Sequence, residues 1–258
     1  MIGDIIIDHR RESCRTDFSI IPSILIFILL KKRNPENELY KKSCNSSLIR
    51  GFVAVLPIIA LSAVLFILNV VLKMSLLQNV NNLVYTAIYT FIVLALAEEL
   101  VKYIAFRLLL KKKLYSYTWA DVVAFMVIIG TAFGLIEDLP YAIGASPMQI
   151  IVRGVTMGHV GYGFIMGWFY GKKLYTGKKI WGVIAFLLPW LMHGIYDFSL
   201  TPELIALNDN LVFIALTIAL IDIVLLILMI RFFVRANKHK KACYDEPLVS
   251  SATVTESE

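Results

Sequence analysis

Long apolar runs alternate with clusters of charge along the whole chain. Crossing about 30 Å of hydrocarbon takes roughly 20 helical residues. Runs of that order lie at 52–72, 83–110, 119–142, 148–170, 180–200 and 211–234. A seventh run, 18–30, lies between Asp17 and Lys31 and is short for a crossing. It reads as a short span, an interfacial helix or the apolar part of a signal peptide. No small-residue cleavage site follows it, and Lys31, Lys32 and Arg33 close the run, which favours the short span. The pattern predicts an all-α polytopic membrane helix bundle of about seven transmembrane helices. It divides the chain into an N-terminal segment, 1–17, one transmembrane domain, 18–234, and a basic tail, 235–258, that ends in a disordered polar stretch.

Composition agrees: 59% of residues are hydrophobic and mean hydropathy is +0.74, against about half apolar in soluble domains. Basic residues fall in alternate loops, first at Lys31, Lys32, Arg33, Lys41, Lys42 and Arg50 and then at Lys111, Lys112 and Lys113. They recur at Lys172, Lys173, Lys178 and Lys179 and again in the tail, whereas the intervening loops are nearly free of them. The positive-inside bias puts the C-terminus on the cytoplasmic side and, with seven spans, the N-terminus outside. The bilayer accounts for the net charge of +6, and no nucleic-acid partner is expected. Cys14, Cys44 and Cys243 have no metal-ligand spacing and predict no disulfide framework.

Ionisable residues inside spans are costly and mark functional sites. Glu98 and Glu99 are adjacent near the centre of the 83–110 run, and helical spacing brings either within reach of Lys102. Glu137 and Asp138 fall in the outer half of the next span, His159 midway along the one after, and His193 with Asp197 one turn on in the following one. Turning four helices inward to one polar cavity keeps every one of these groups from lipid. A carboxylate to take a proton from water, imidazoles for a metal or an oxyanion, and a cation to hold the base ionised together suit hydrolysis.

In this order the residues read as Glu98-Glu99-Leu-Val-Lys102, Phe133-Gly-Leu-Ile-Glu137, His159 in a glycine-rich helix and His193-Gly-Ile-Tyr-Asp197. They resemble the EExxK, FxxxE and HxxxD motifs of the PrsW family of intramembrane proteases, relatives of the glutamic-type CAAX-protease and bacteriocin-processing group. The resemblance covers 83–200, and Glu137 and Lys102 match the PrsW branch where the broader group has histidine and arginine. It implies a peptidase in a bacterial cell membrane that cleaves a membrane-protein substrate in or near a membrane segment, as in regulated proteolysis of a single-pass anti-sigma factor. Similarity to the glutamic-type relatives implies that Glu98 activates water, Glu99 and Lys102 orient it, and His159 and His193 stabilise the oxyanion. In the alternative, Glu137, His159 and His193 bind Zn²⁺ and Glu98 is the base. No HExxH is present, so the metal has no local sequence support and the metal-free mechanism is preferred.

Other readings compete. Glu98, Glu99 and Lys102 also suit a buried ion network. A proton-coupled transporter or channel places the same residue types at the midplane, but no inverted repeat is visible. A non-catalytic binder of membrane segments is disfavoured by the intact motifs. Gly163, Gly167 and Gly171 read as a packing face. Asp197 reads as the group orienting His193, Asp121 as a helix-start residue, and Asp222 as structural. Pro140 and Pro189 are candidates for kinks that open a gate.

Overall fold

In this computed structural model the described residues are 20–67, 82–111, 116–144, 156–207, 210 and 212–238. The N-terminal segment 1–17, Arg153, the side chain of Pro140 and the tail beyond 238 lie outside them. The longer regular elements among the described residues are helices: α1 (Ile20–Lys31), α2 (Glu38–Phe66), α3 (Leu83–Leu110), α4 (Trp119–Gly144), α5 (Gly158–Thr176), α6 (Lys179–Ser199) and α7 (Val212–Lys238), with a single helical turn at Pro202–Ile205. Five of them, α2, α3, α4, α6 and α7, are long and apolar enough to cross a membrane. With the shorter α1 and the more polar α5 they form an integral membrane helix bundle.

Two boundaries differ from the sequence expectation. The stretch 38–50, read as a basic loop, is the start of α2: Asn37 caps it by accepting a hydrogen bond from the Tyr40 backbone N–H at 2.9 Å, so charge marks the helix end here and not a loop. The run 148–170 is also not one described helix. Met157 takes a left-handed conformation, with φ of 46°, and α5 starts after it. His159, expected midway along a span, therefore stands in the first turn of its helix.

Helix α4 is the centre of the bundle, with 120–134 buried throughout. It packs against α2 and α5, while α6 and α7 close around α5 and α6 also meets α3. Glycines set the α4–α5 distance. A Cβ on Gly130 would lie 2.2 Å from the His159 carbonyl oxygen, and one on Gly163 would lie 2.8 Å from that of Met126. Gly167 and Gly171 continue the contact against Val123 and Trp119. Without side chains at these positions the two backbones approach closely, as small residues permit in membrane bundles, where lipid offers no hydrophobic drive for association.

The start of α4 is fixed by a reciprocal cap. Asp121 accepts from the Thr118 backbone N–H at 3.0 Å, and the Thr118 hydroxyl accepts from the Asp121 N–H at 3.2 Å. Asp121 also pairs with Arg33. The Tyr40 hydroxyl donates to the Leu30 carbonyl at 2.6 Å. Together these contacts tie α1, α2 and α4 at one end of the bundle.

Candidate active site

The site begins with an irregularity in α3. Its stretch Tyr89–Ala95 is π-helical, a wider winding that turns the following residues relative to an ideal α-helix and recurs at functional sites. The Phe91 carbonyl there accepts both the Leu96 N–H and the Trp190 indole N–H of α6, at 2.7 Å. Gly194 lets α6 approach the same point, since a Cβ on it would lie 2.5 Å from the Phe91 ring. Directly after this segment α3 delivers Glu98, Glu99 and Lys102 to the interior.

Glu99 and Lys102 form a fully enclosed pair: the ammonium donates to Glu99 Oε1 at 2.6 Å, and each side chain is 1% exposed. Lys102 Nζ also lies 2.9 Å from His159 Nδ1. An ammonium can only donate, so Nδ1 is an acceptor, Nε2 carries the ring proton, and Nε2 donates to Glu137, its partner. Phe133 explains the aromatic position of its motif. Its ring lies 4.6 Å from Lys102 Nζ and packs edge-on at 5.3 Å from the His159 ring, so it braces the ammonium–imidazole contact by a cation–π interaction.

On the other side, His193 Nδ1 lies 2.9 Å from Glu99 Oε1. Its Nε2 is 3.0 Å from Asp197 Oδ2, one turn along α6, and 3.8 Å from Glu98 Oε2. Tyr162 stacks on the His193 ring at 5.4 Å, and the two histidine rings are 5.1 Å apart. The order Glu137–His159–Lys102–Glu99–His193–Asp197 is thus a continuous polar chain through four helices. All seven sequence-predicted site residues belong to this chain or, in Glu98, adjoin it.

Glu98 and Glu99 each bury an Oε2 without a hydrogen-bond partner among the described residues. They differ in that Glu99 Oε1 meets both Lys102 and His193, whereas Glu98 faces His193 only at 3.8 Å and is 8% exposed overall. Ligand atoms of Glu98, His159 and His193 all lie within 4.8 Å of one another. Two imidazoles and a carboxylate are a suitable donor set for a catalytic metal with one open position. Lys102 occupies Nδ1 of His159, which leaves Nε2, the atom bonded to Glu137, as the nitrogen a metal would take. The convergent set therefore has Glu98 where the sequence reading had Glu137, with Glu137 alongside.

The two histidines and Glu137 line a cavity of about 50 Å³, room for about three or four waters. Its walls include Glu137, His159, Tyr162, His193 and Asp197, and also Asp222 of α7. Sequence reasoning did not assign Tyr162 or Asp222 to the site. Asp222 carried a signal, being an ionisable residue deep in a span, but nothing along the chain links it to the motifs.

A family profile described as "PrsW family intramembrane metalloprotease" matches residues 47–230 of this chain. A protein named Protease PrsW from Oceanobacillus iheyensis is 33% identical over 117 residues, covering 44% of this chain and 54% of that relative. One of the same name from Clostridioides difficile is 27% identical over 154 residues, covering 55% of this chain and 63% of the relative. The chain thus spans between half and two thirds of the length of these relatives. Another Protease PrsW, from Bacillus subtilis, is 30% identical over 86 residues. No solved structure matches the chain.

Proposed function

From the premise that this chain belongs to the PrsW family of intramembrane metalloproteases, we propose that it hydrolyses a peptide bond in or near a membrane segment of another membrane protein. The observation that carries this reading is the convergence of Glu98, His159 and His193 inside the bundle, with both histidines lining a small cavity there. The bacterial relatives and the basic loops support a bacterial cell membrane with the C-terminus cytoplasmic, and a membrane-anchored anti-sigma factor is the substrate type proposed.

Glu98, His159 and His193 would hold the metal, and Zn²⁺ suits this donor set. A metal bound there supplies Lewis acidity and a lowered pKa for bound water. The chain's own residues do the rest. Glu99, locked by Lys102, fixes His193 through Nδ1, as carboxylates orient ligand histidines. Lys102 and Phe133 fix His159. Glu137, with its side chain 23% exposed on the cavity side, is placed to receive the proton of the attacking water and to return it to the leaving amine. Asp197, 3.0 Å from His193 Nε2, keeps that imidazole in register.

One observation favours a metal-free variant, in which Glu98 itself is the base: each nitrogen of both imidazoles already faces a partner in this structure. Metal content separates the two. Protein purified without chelator is expected to carry about one equivalent of metal by mass spectrometry, and His159→Ala and His193→Ala are each expected to lose it. Metal-free wild-type protein with full activity excludes the metal reading.

The function itself is tested by comparing membrane-protein fragments from cells that express the wild-type chain or Glu98→Gln at equal levels. Fragments ending inside or beside membrane segments that vanish with the variant are expected. Identical fragment sets from both cells, with the protein folded and inserted, count against proteolysis.

A further inference from the structure

Helix α7 lies outside the motif-bearing helices, yet it contributes a carboxylate to the same cavity. Asp222 is 2% exposed, lines the wall with Tyr162, His193 and Asp197, and its Oδ1 has no hydrogen-bond partner among the described residues. It lies over the glycine face of α5: a Cβ on Gly158 would be 3.4 Å from Oδ2, and one on Gly161 would be 3.5 Å from Oδ1. Asp222 is not part of the convergent donor set of Glu98, His159 and His193.

A buried acceptor with no donor is unfavourable, and an apolar residue of similar size is better tolerated for structure alone. Such a group is retained where an incoming partner satisfies it. A membrane segment arrives as a helix with its backbone hydrogen bonds made internally. Exposing one peptide bond to attack requires that helix to unwind locally, which frees backbone N–H donors inside a low-dielectric site. An ionised carboxylate accepts only, through several lone-pair positions. Charged side chains at this depth of a substrate are rare, so main-chain N–H groups are the donors the cavity will meet.

We propose that Asp222 is a substrate-binding residue of this site, its carboxylate accepting hydrogen bonds from backbone N–H groups of the unwound substrate segment. This rests on the peptidase reading above. The helix that carries Asp222 then serves as a wall on which the substrate backbone is extended, in the cavity that His159 and His193 also line.

The test uses the full chain in liposomes and, as substrate, a synthetic peptide of the single membrane segment whose fragments vanish in the Glu98→Gln cells. Asp222→Leu removes the acceptor at similar volume, and Asp222→Asn keeps one acceptor oxygen. Asp222→Leu is expected to lower kcat/KM by about tenfold or more with an unchanged or higher thermal midpoint, and Asp222→Asn to recover most of the loss. Replacing one backbone amide beside the scissile bond by an ester, which deletes its N–H, is expected to slow the wild type but to add nothing to Asp222→Leu. Replacing a lysine or arginine of the peptide is expected to leave the Asp222 effect intact.

Equal kcat/KM for wild type and Asp222→Leu overturns the proposal, as does a loss that only follows a falling midpoint. Glu98→Gln cells that yield the same fragments as wild-type cells overturn the peptidase reading and this proposal with it. A wild type that cuts with Asp222→Leu unchanged overturns this proposal alone.

Discussion

Glu98→Gln removes a metal ligand or, in the metal-free variant, the base, and is expected to lower cleavage by about 10²–10⁴-fold without destabilising the protein. The reason lies in the surroundings of its carboxylate. Glu98 Oε2 has no hydrogen-bond partner among the described residues, and its nearest imidazole nitrogen is 3.8 Å away. An amide of the same shape gives up no structural bond there, but it neither takes a proton nor binds a metal as a carboxylate does. The adjacent residue behaves in the opposite way. Glu99→Gln loses the charge that faces Lys102 at 2.6 Å and His193 at 2.9 Å, so its loss of activity is expected to come with a lower thermal midpoint. Rates from reconstituted protein, set beside thermal unfolding followed by circular dichroism, check both. Equal melting losses in the two variants would mean that Glu98 is simply another member of the ion network.

Lys102→Met carries the largest expected structural effect. The ammonium is 1% exposed and holds Glu99 and His159 together. Removing one member of a buried pair leaves the other charge uncompensated, at a cost of about 3–5 kcal/mol, or a fall of about 6–20 °C in midpoint for a chain of this size. The double substitution Glu99→Gln/Lys102→Met removes both charges and is expected to regain most of that stability. Activity is not expected to return, because His159 loses the donor that fixes its Nδ1 as an acceptor and His193 loses the charged carboxylate on its own Nδ1. Melting curves and cleavage rates for the single and double variants make this a double-mutant cycle. If the double variant cleaves at the wild-type rate, Lys102 does not position the histidine.

Much of this protein is legible in one dimension because the bilayer restricts the solutions. Apolar runs of spanning length must be helices, since no water is available to satisfy an open backbone. Charge inside such a run must turn away from lipid. Those two rules, applied to Glu98, Glu99, Lys102, Glu137, His159, His193 and Asp197, lead to a helix bundle with an inward polar cluster. Where the rules depended on hydropathy alone they misplaced boundaries. The polar stretch from Glu38 belongs to α2 because Asn37 caps it, and α5 starts only after the left-handed Met157. A window of averaged hydropathy registers neither a cap nor a single backbone angle.

The class of fold, the helices that bear the polar groups and the identity of those groups follow from the chain alone, because periodicity and desolvation act locally along it. Tertiary structure alone decided how the groups divide their roles. Glu98 and Glu99 are interchangeable in a motif, yet the approach of α5 and α6, set by Gly130, Gly163 and Gly194, gives Glu99 two close partners, Lys102 and His193, and leaves Glu98 facing His193 only at 3.8 Å. The same packing brings Phe133 under Lys102 and Asp222 to the site wall. Which atoms meet across helices depends on glycine-set distances and on the π-helical turn in α3, and no spacing within a single helix encodes those.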